Sequence, residues 1–286
     1  MKNIAKSIFI TAFPTYGLVV GIYATRQLFA TGALHWTGVA LGSWAIALMF
    51  GVWLMFRPFA RTTATMPKYT ALIMASVVWT VVTGTSLQTS PAYMAIALAI
   101  SNIAGWFIYI YWYSRFAKRN KELLVVGKPL PKFALENEAG EPVQSKAFEG
   151  HPTLWMFYRG NWCPLCMAQI KEVAQQYQAL DKRGVKVALV SPQPHGHTRQ
   201  LAEKMKVPFQ FLVDVKNKAA RQLDILSENG IPKGFEVLGY DSDTVLPTVI
   251  MTNSEGKIIF ADLTDNYRVR PEPATFLEIL DKEGIG

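Results

Sequence analysis

The sequence predicts an α-helical transmembrane bundle of four helices, residues 1–120, followed by an α/β domain, residues 121–286. The distribution of charge separates the two parts. All 21 acidic residues lie at or beyond Glu122, whereas residues 1–120 hold nine basic side chains and no acidic one. The second part alternates apolar runs of strand length with helical repeats, which is typical of a mostly parallel sheet covered by helices.

Four apolar spans make up the first part. Each has close to the roughly 20 residues that a helix needs to cross the hydrocarbon core. Pro14 and Tyr16 interrupt the first span and three more follow it, so we interpret it as a retained helix and not as a cleaved signal peptide. The spans are Ser7 to Thr25, Ala33 to Phe56, Tyr69 to Leu87 and Pro91 to Phe116.

Basic residues predict the orientation of the bundle. Only Arg26 lies in a loop predicted to be outside, and both termini are therefore expected on the cytoplasmic side of the inner membrane, with the second domain in the cytosol. The formal net charge of +8 belongs to the membrane part, which argues against nucleic acid as a partner. The nine basic residues expected inside are Lys2, Lys6, Arg57, Arg61, Lys68, Arg115, Lys118, Arg119 and Lys121.

The apolar spans contain no Cys, Asp or Glu, so a thiol or carboxylate relay through this one chain is excluded. The bundle is expected to be an anchor in the bilayer or a docking partner for another membrane protein. Gly17-x-x-x-Gly21 and Gly38-x-x-x-Gly42 allow close helix packing, which we assign to contacts within the chain ahead of a homodimer.

The second part is predicted element by element from its apolar periodicity. Helices are expected over Met167 to Leu180, from about Asn217 and from about Glu272. Strands are expected at Lys132 to Leu135, Glu141 to Gln144, Thr153 to Tyr158, Val185 to Val190, Phe209 to Val213, Thr248 to Met251 and Lys257 to Ala261.

Cys163 and Cys166 are the only cysteines, and they follow the Thr153 to Tyr158 strand in the run Trp162-Cys163-Pro164-Leu165-Cys166. We expect Cys163 exposed at a helix N-terminus and Cys166 one turn in. That position lowers the pKa of a thiol and brings a second sulfur within bonding reach. The spacing therefore predicts a redox-active pair.

Other uses of the two cysteines are less well supported. A zinc site would need His195 and His197, which lie at unusual spacing in a Pro/Gly-rich stretch and are interpreted as exposed loop residues. A structural disulfide closing so small a loop removes little chain entropy, and iron–sulfur ligation needs more cysteines. We therefore predict no metal and no cofactor.

These residues resemble a known family. The Trp-Cys-Pro-x-Cys motif after an apolar strand and the run Leu246-Pro247-Thr248 before a hairpin look like the thioredoxin fold. More closely, the segments Phe157 to Pro164 and Asn266 to Pro273 are similar to redoxin domains of the alkyl hydroperoxide reductase/thiol-specific antioxidant superfamily, in its peroxiredoxin-like branch. The resemblance covers roughly Gly127 to the C-terminus and implies a thioredoxin-like α/β domain.

The resemblance also implies roles for residues. Cys163 would attack, Cys166 would resolve, and Pro247 would be a cis-proline that faces the pair. Supporting positions are Pro164 and Thr248, with Trp162 as a packing lid over the disulfide. Arg159 is either a cation that holds the Cys163 thiolate or a solvated residue with no role.

Three positions depart from the related patterns. True peroxiredoxins carry Thr or Ser where this chain has Gly160, and Arg where it has Leu246. Thioredoxin carries a buried Asp where this chain has Phe157. The hydrogen bonds that activate peroxide are thus largely missing, which lowers the case for a peroxidase.

We accordingly predict a membrane-anchored thiol–disulfide oxidoreductase that acts on a protein or small-molecule disulfide or thiol. The first alternative is a hydroperoxide reductase in which Cys163 becomes a sulfenic acid and Cys166 condenses with it. The second alternative is a redox-sensing or scaffold protein that binds another membrane protein.

Overall fold

The computed structural model describes residues 2–56, 60–87, 89–116 and 119–286, except the side chains of Lys2 and Met55. The chain forms two compact units. The helical unit comprises Ile8–Arg57 and Thr62–Arg115. The sheet unit comprises Met1–Ser7, Pro58–Arg61 and Phe116–Gly286.

Four long helical segments follow the four predicted apolar spans. Two of them contain a π-helical turn near the C-terminal end, at Met49–Trp53 and at Ile108–Tyr113. The first contains Pro14 and begins inside the sheet unit. The helices are α1 (Lys2–Thr31), α2 (His35–Leu48), the single turn α3 (Leu54–Phe56), α4 (Pro67–Thr85) and α5 (Ser90–Phe107).

Three of these segments are long and apolar enough to cross a membrane, namely Asn3–Thr31, His35–Trp53 and Ser90–Tyr113. The helix α4 is not among them, because Lys68 and several threonines reduce its mean hydropathy. A fourth membrane crossing stays a prediction. Among the basic residues used to predict the orientation, Arg57, Lys118 and the side chain of Lys2 lie outside the described residues.

Glycines let α2 approach α4 and α5 closely within the helical unit. A Cβ added to Gly38 would lie 2.3 Å from Thr80 Oγ1, and one added to Gly42 would lie 2.6 Å from Ser76 Oγ. Beside Gly42, Asn102 Nδ2 donates a hydrogen bond to Ser43 Oγ at 2.9 Å. These small-residue positions therefore serve packing within the chain.

The sheet unit has the β-α-β and β-β-α arrangement of a thioredoxin-like domain. Its seven-stranded sheet has the order β2-β1-β5-β4-β3-β8-β9. The strands β3, β4 and β5 run parallel, and β8 is antiparallel to β3. A separate pair joins β6 to β7. The strands are β1 (Ala134–Asn137), β2 (Pro142–Gln144), β3 (Thr153–Phe157), β4 (Lys186–Ser191), β5 (Gln210–Val213), β6 (Leu226–Ser227), β7 (Thr244–Val245), β8 (Thr248–Thr252) and β9 (Ile258–Asp262).

The helices of the sheet unit are α6 (Pro164–Gln175), α7 (Tyr177–Asp181), α8 (His195–Met205), α9 (Lys218–Gln222) and α10 (Pro273–Lys282). Two predictions differ from them. The single helix expected over Met167 to Leu180 begins at Pro164 and is divided at Gln176. The expected loop at His195 and His197 is the first turn of α8, which begins directly after Pro194.

The central strand β3 determines where the cysteine motif lies. All five of its residues are buried, as expected for a strand paired on both sides. Trp155 packs against Phe148 and Phe133, with ring centroids 4.6 Å and 5.3 Å away. The chain leaves this rigid strand at Phe157 and reaches the first cysteine six residues later.

Candidate functional site

The turn after β3 has a conformation that depends on glycine. Gly160 adopts φ +141°, and a Cβ at this position would lie 2.6 Å from Trp162 Nε1. Any side chain would be strained by the backbone angle and would collide with the indole ring. The position where peroxiredoxins carry Thr or Ser therefore requires glycine in this chain.

A buried glutamine holds this turn in place. Gln193 Oε1 accepts the Asn161 N–H at 2.8 Å. Its Nε2 donates to Tyr158 Oη and to Thr198 Oγ1, both at 3.1 Å. The sequence analysis did not predict this role. The available signal was the position of Gln193 between two prolines just after β4, where a polar side chain belongs to neither a helix nor a strand.

The two cysteines lie side by side. Cys163 is the N-cap of α6, Pro164 is the first residue of that helix, and the Sγ atoms of Cys163 and Cys166 are 2.7 Å apart. Both thiols are free. The prediction that Cys163 is exposed is wrong, since it is only 4% exposed and Cys166 only 1%. The buried arginines Arg159 and Arg270 enclose this end of the helix in place of solvent.

Arg270 contacts the pair directly and was not predicted as a site residue. Its Nη2 donates to Cys166 Sγ at 3.6 Å, and its Nη1 donates to Gln169 Oε1 at 2.6 Å. Its Nε donates to Tyr267 O at 3.0 Å, and the side chain is buried. The sequence did offer one signal for this residue. Arg270 lies in the segment Asn266 to Pro273, which the sequence analysis used only as part of the resemblance to redoxin domains.

The two thiols share one negative charge. Burial raises the pKa of Cys163 well above its ordinary value, and the hydrogen bond to Cys166 adds to this increase. Burial also acts to raise the pKa of Cys166, but the hydrogen bond with Cys163 and the charge of Arg270 outweigh it, so that this pKa falls to about 5. The pair therefore gives up one proton readily, and Arg270 stabilises the resulting charge beside Cys166.

Arg159 is buried and not solvated, and its part in the reaction stays a prediction. Its side chain is buried, and its guanidinium carbon lies 4.8 Å from the centroid of the Trp162 ring. Its Nη2 donates a hydrogen bond to Gly230 O. Trp162 also packs edge-on against Phe235, with centroids 5.8 Å apart. The charge of Arg159 adds to that of Arg270 in lowering the pKa of Cys166.

Pro247 and Thr248 lie at the start of β8, where Thr248 pairs with Phe157 of β3. The prediction of a cis bond before Pro247 is wrong, because the described residues contain no cis peptide bond. Leu246 N–H donates to Ile225 O at 2.7 Å, and the chain continues from β7 into β8 with the trans bond that most prolines adopt. Arg119 holds this corner, with its Nη1 donating to Pro247 O at 3.2 Å and its Nη2 donating to Thr248 Oγ1.

The two histidines considered for zinc have other partners. His195 Nε2 lies 2.9 Å from Glu136 Oε2. The His197 ring stacks on Tyr240 with centroids 4.7 Å apart, and its Nε2 is 3.1 Å from Leu238 O. Within the described part of the chain, no three His, Cys, Asp or Glu residues are grouped so that they could hold a metal ion.

Known proteins are similar to the sheet unit of this chain. The AhpC/TSA family matches residues 126–261. The chain is 30% identical to the chloroplastic peroxiredoxin Q of Sedum lineare over 137 residues, which are 48% of this chain and 71% of that protein. It is 29% identical to the peroxiredoxin Q of Populus jackii, of which it spans 48%.

A second kind of relative is also present. The chain is 24% identical to the thiol-disulfide oxidoreductase ResA of Bacillus cereus over 164 residues, which are 57% of this chain and 82% of ResA. Arg270 lies outside the residues that match the family. Because the chain is 30% identical to a peroxiredoxin Q over most of that protein, and because the family matches residues 126–261, the chain belongs to the AhpC/TSA family.

Proposed function

We propose that the protein is a membrane-anchored thiol–disulfide oxidoreductase that reacts through Cys163 and Cys166. The observation that carries the proposal is the pair itself, two sulfurs 2.7 Å apart with a guanidinium 3.6 Å from the inner one. Disulfide exchange needs a thiolate and a second thiol within reach of the mixed disulfide, and this pair supplies both. The thiol-disulfide oxidoreductase ResA among the relatives supports the same class of reaction.

The proposed sequence of steps begins with a proton shift inside the pair. Cys166 takes the proton of Cys163, whose thiolate then attacks the substrate disulfide and releases one substrate thiolate. Cys166 loses its proton to that leaving group and attacks Cys163 Sγ, releasing the second substrate thiolate. Two electrons pass from the pair to the substrate, and a thiol reductant must return them for the next cycle. We assign the attacking role to Cys163 from the family resemblance, and its position as the N-cap residue of α6 supports this assignment.

A protein disulfide is the substrate class favoured by the surface near the motif. The segment Phe235–Leu238 forms a helical turn between Gly234 and Gly239 and packs on Trp162 through Phe235. Val237 at its tip is 87% exposed. Leu238 beside it is 57% exposed, and adjacent exposed apolar side chains on a turn that packs on Trp162 fit a polypeptide segment better than a small polar disulfide.

Hydroperoxide reduction is the second candidate, because several relatives are peroxiredoxins Q. The local chemistry favours it less. Gly160 offers no hydroxyl to a bound peroxide, and Leu246 offers no charge. The nearest guanidinium, that of Arg270, hydrogen-bonds to Cys166 and not to the proposed attacking sulfur.

Stopped-flow kinetics distinguish the two candidates, with the change in intrinsic tryptophan fluorescence as the signal. We expect the reduced protein to react with a peptide disulfide about tenfold to thirtyfold faster than a free thiol does, because the pair has already lost one proton at neutral pH, whereas a free thiol is only a few per cent ionised. With hydrogen peroxide we expect a rate close to that of a free thiol. A peroxide rate orders of magnitude above a free thiol, with slow disulfide exchange, would establish the peroxidase instead.

We further propose that residues 1–120 anchor the redox domain, residues 121–286, as a multi-pass segment with both termini in the cytosol. The excess of basic residues at the predicted inner ends supports this orientation. In a reducing compartment the pair would be kept mainly as a dithiol and would act as a reductant.

A reporter-cysteine experiment tests the orientation. Because both native thiols are buried, the reporters are Val237→Cys and, between the first two candidate spans, Leu34→Cys, each in a chain with both native cysteines changed to serine. We expect an impermeant maleimide to label Leu34→Cys in intact cells and Val237→Cys only after permeabilisation. The reverse pattern would place the redox domain outside.

A further inference from the structure

An arginine far from the motif in sequence contacts the helix that carries it. Arg61 belongs to the sheet unit, although in sequence it lies between the helices α3 and α4. Its Nη2 lies 2.5 Å from Glu172 Oε2, and Ala60 N–H donates to Glu172 Oε1 at 3.1 Å. Glu172 lies on α6 and its side chain is only 9% exposed. Both carboxylate oxygens are therefore held by the short segment Ala60–Arg61.

The same guanidinium also contacts the C-terminal segment. Arg61 Nη2 donates to Pro271 O at 3.4 Å, and its Nη1 lies 4.0 Å from Glu272 Oε1. Arg61 thus joins α6 to the residues that immediately follow Arg270. The Arg61 side chain is 21% exposed, so these contacts are partly shielded from water.

Two arginines therefore bind consecutive turns of α6. Arg270 contacts Cys166 and Gln169, and Arg61 contacts Glu172. These three helix positions are spaced three residues apart, which places them along one side of the helix. The segment from Arg270 to Glu272 is therefore held at one end by the contacts of Arg270 with α6 and at the other end by the contacts of Arg61 with Pro271 and Glu272.

We propose that Arg61 is a positioning residue of the redox site, which holds the segment Arg270–Glu272 against α6 so that Arg270 remains at Cys166. The proposal deepens the proposed function and rests on it, since it assigns the membrane-proximal segment a part in tuning the redox pair. The segment between the apolar helices is then more than a connection within the anchor.

Other charged and titratable groups act on the same pair and must be kept constant. They are Cys163, Arg159 and Tyr158 around Cys166, Asp262 and Tyr267 around Arg270, and Glu172 and Glu272 around Arg61. None of them is changed in the test.

The test measures ultraviolet thiolate absorbance against pH for the full chain in lipid nanodiscs. We expect Arg61→Gln to lower the thiolate fraction on the acidic limb of the titration about threefold to tenfold, and Arg61→Lys to restore part of it. The matched control is Arg183→Gln, which removes an arginine paired with exposed Asp281 elsewhere in the sheet unit and should leave the titration unchanged.

A double variant separates positioning from a direct effect of charge. If Arg61 acts through Arg270, then Arg61→Gln adds no further shift in a chain that already carries Arg270→Gln. An equal shift in both backgrounds, or none in the single variants, would overturn the proposal. The thiolate is detected without any substrate, so failure of the proposed function would not be mistaken for failure of this inference.

Discussion

Replacing Cys163 by serine is expected to reduce disulfide turnover to the uncatalysed background, a loss of roughly a thousandfold or more, as when other enzymes lose their nucleophile. A serine hydroxyl does not ionise at neutral pH and cannot form the mixed disulfide. Cys166→Ser is expected to lose turnover as well, but for another reason. Its Cys163 still attacks, and no second sulfur remains to release the product.

The measurement is turnover of a peptide disulfide under excess thiol reductant, with wild type and both variants compared at equal concentration. The serine side chain is nearly isosteric with cysteine, so each variant serves as the structural control for the other. Turnover retained by Cys163→Ser would contradict the assignment of Cys163 as the attacking sulfur.

Replacing Arg270 by glutamine is expected to raise the pKa of Cys166 by about 1–3 units, the usual effect of removing one opposite charge at this distance. The wild-type value is lowered to about 5, in part by this guanidinium, so the wild-type thiolate is already formed at neutral pH. A thiolate is populated above its pKa. The rise of disulfide reactivity with pH should therefore move to higher pH in the variant.

Two further variants show whether the change in the pKa of Cys166 comes from the charge of Arg270. Arg270→Lys keeps the charge but loses the planar group that contacts both Cys166 and Gln169, and we expect a partial shift. Arg183→Gln, at an exposed ion pair, should titrate like the wild type. An unchanged titration in Arg270→Gln, with the far-ultraviolet circular dichroism of the wild type, would show that Arg270 does not hold the thiolate.

Local patterns in the sequence predicted much of the sheet unit. The apolar run Thr153 to Tyr158 is long, uninterrupted and rich in large residues, and it is the central strand β3. The helix α8 was missed because it begins with His195, Gly196 and His197, which have low helix propensity and follow a proline. Its stability comes instead from buried residues such as Leu201, which is only 6% exposed.

The candidate site was predicted only where its residues are neighbours in the sequence. Cys163, Cys166 and Trp162 share one short run and were found together. Arg270 lies 104 positions from Cys166, and only the packing of the C-terminal segment along α6 brings the two into contact. No periodicity or spacing encodes that contact.

The burial of the arginines and of Cys163 could not be predicted from the sequence either. Arginine is mostly exposed in proteins, yet Arg119, Arg159, Arg268 and Arg270 are each no more than 8% exposed. The exposed Cys163 that was expected at a helix N-terminus is therefore covered. The cis bond before Pro247 was expected from the family resemblance alone, and the bond is trans in the structure.

Isolation of the covalent intermediate of Cys166→Ser tests the central claim most directly. The variant is expressed in cells, thiol exchange is stopped by acid, and free thiols are blocked by alkylation. The adducts that a reductant then releases from the variant are identified by mass spectrometry. We predict a mixed disulfide on Cys163 in Cys166→Ser and none in Cys163→Ser. A Cys163 that carries sulfenic or sulfinic acid and no thiol partner would contradict disulfide exchange and favour the hydroperoxide reaction.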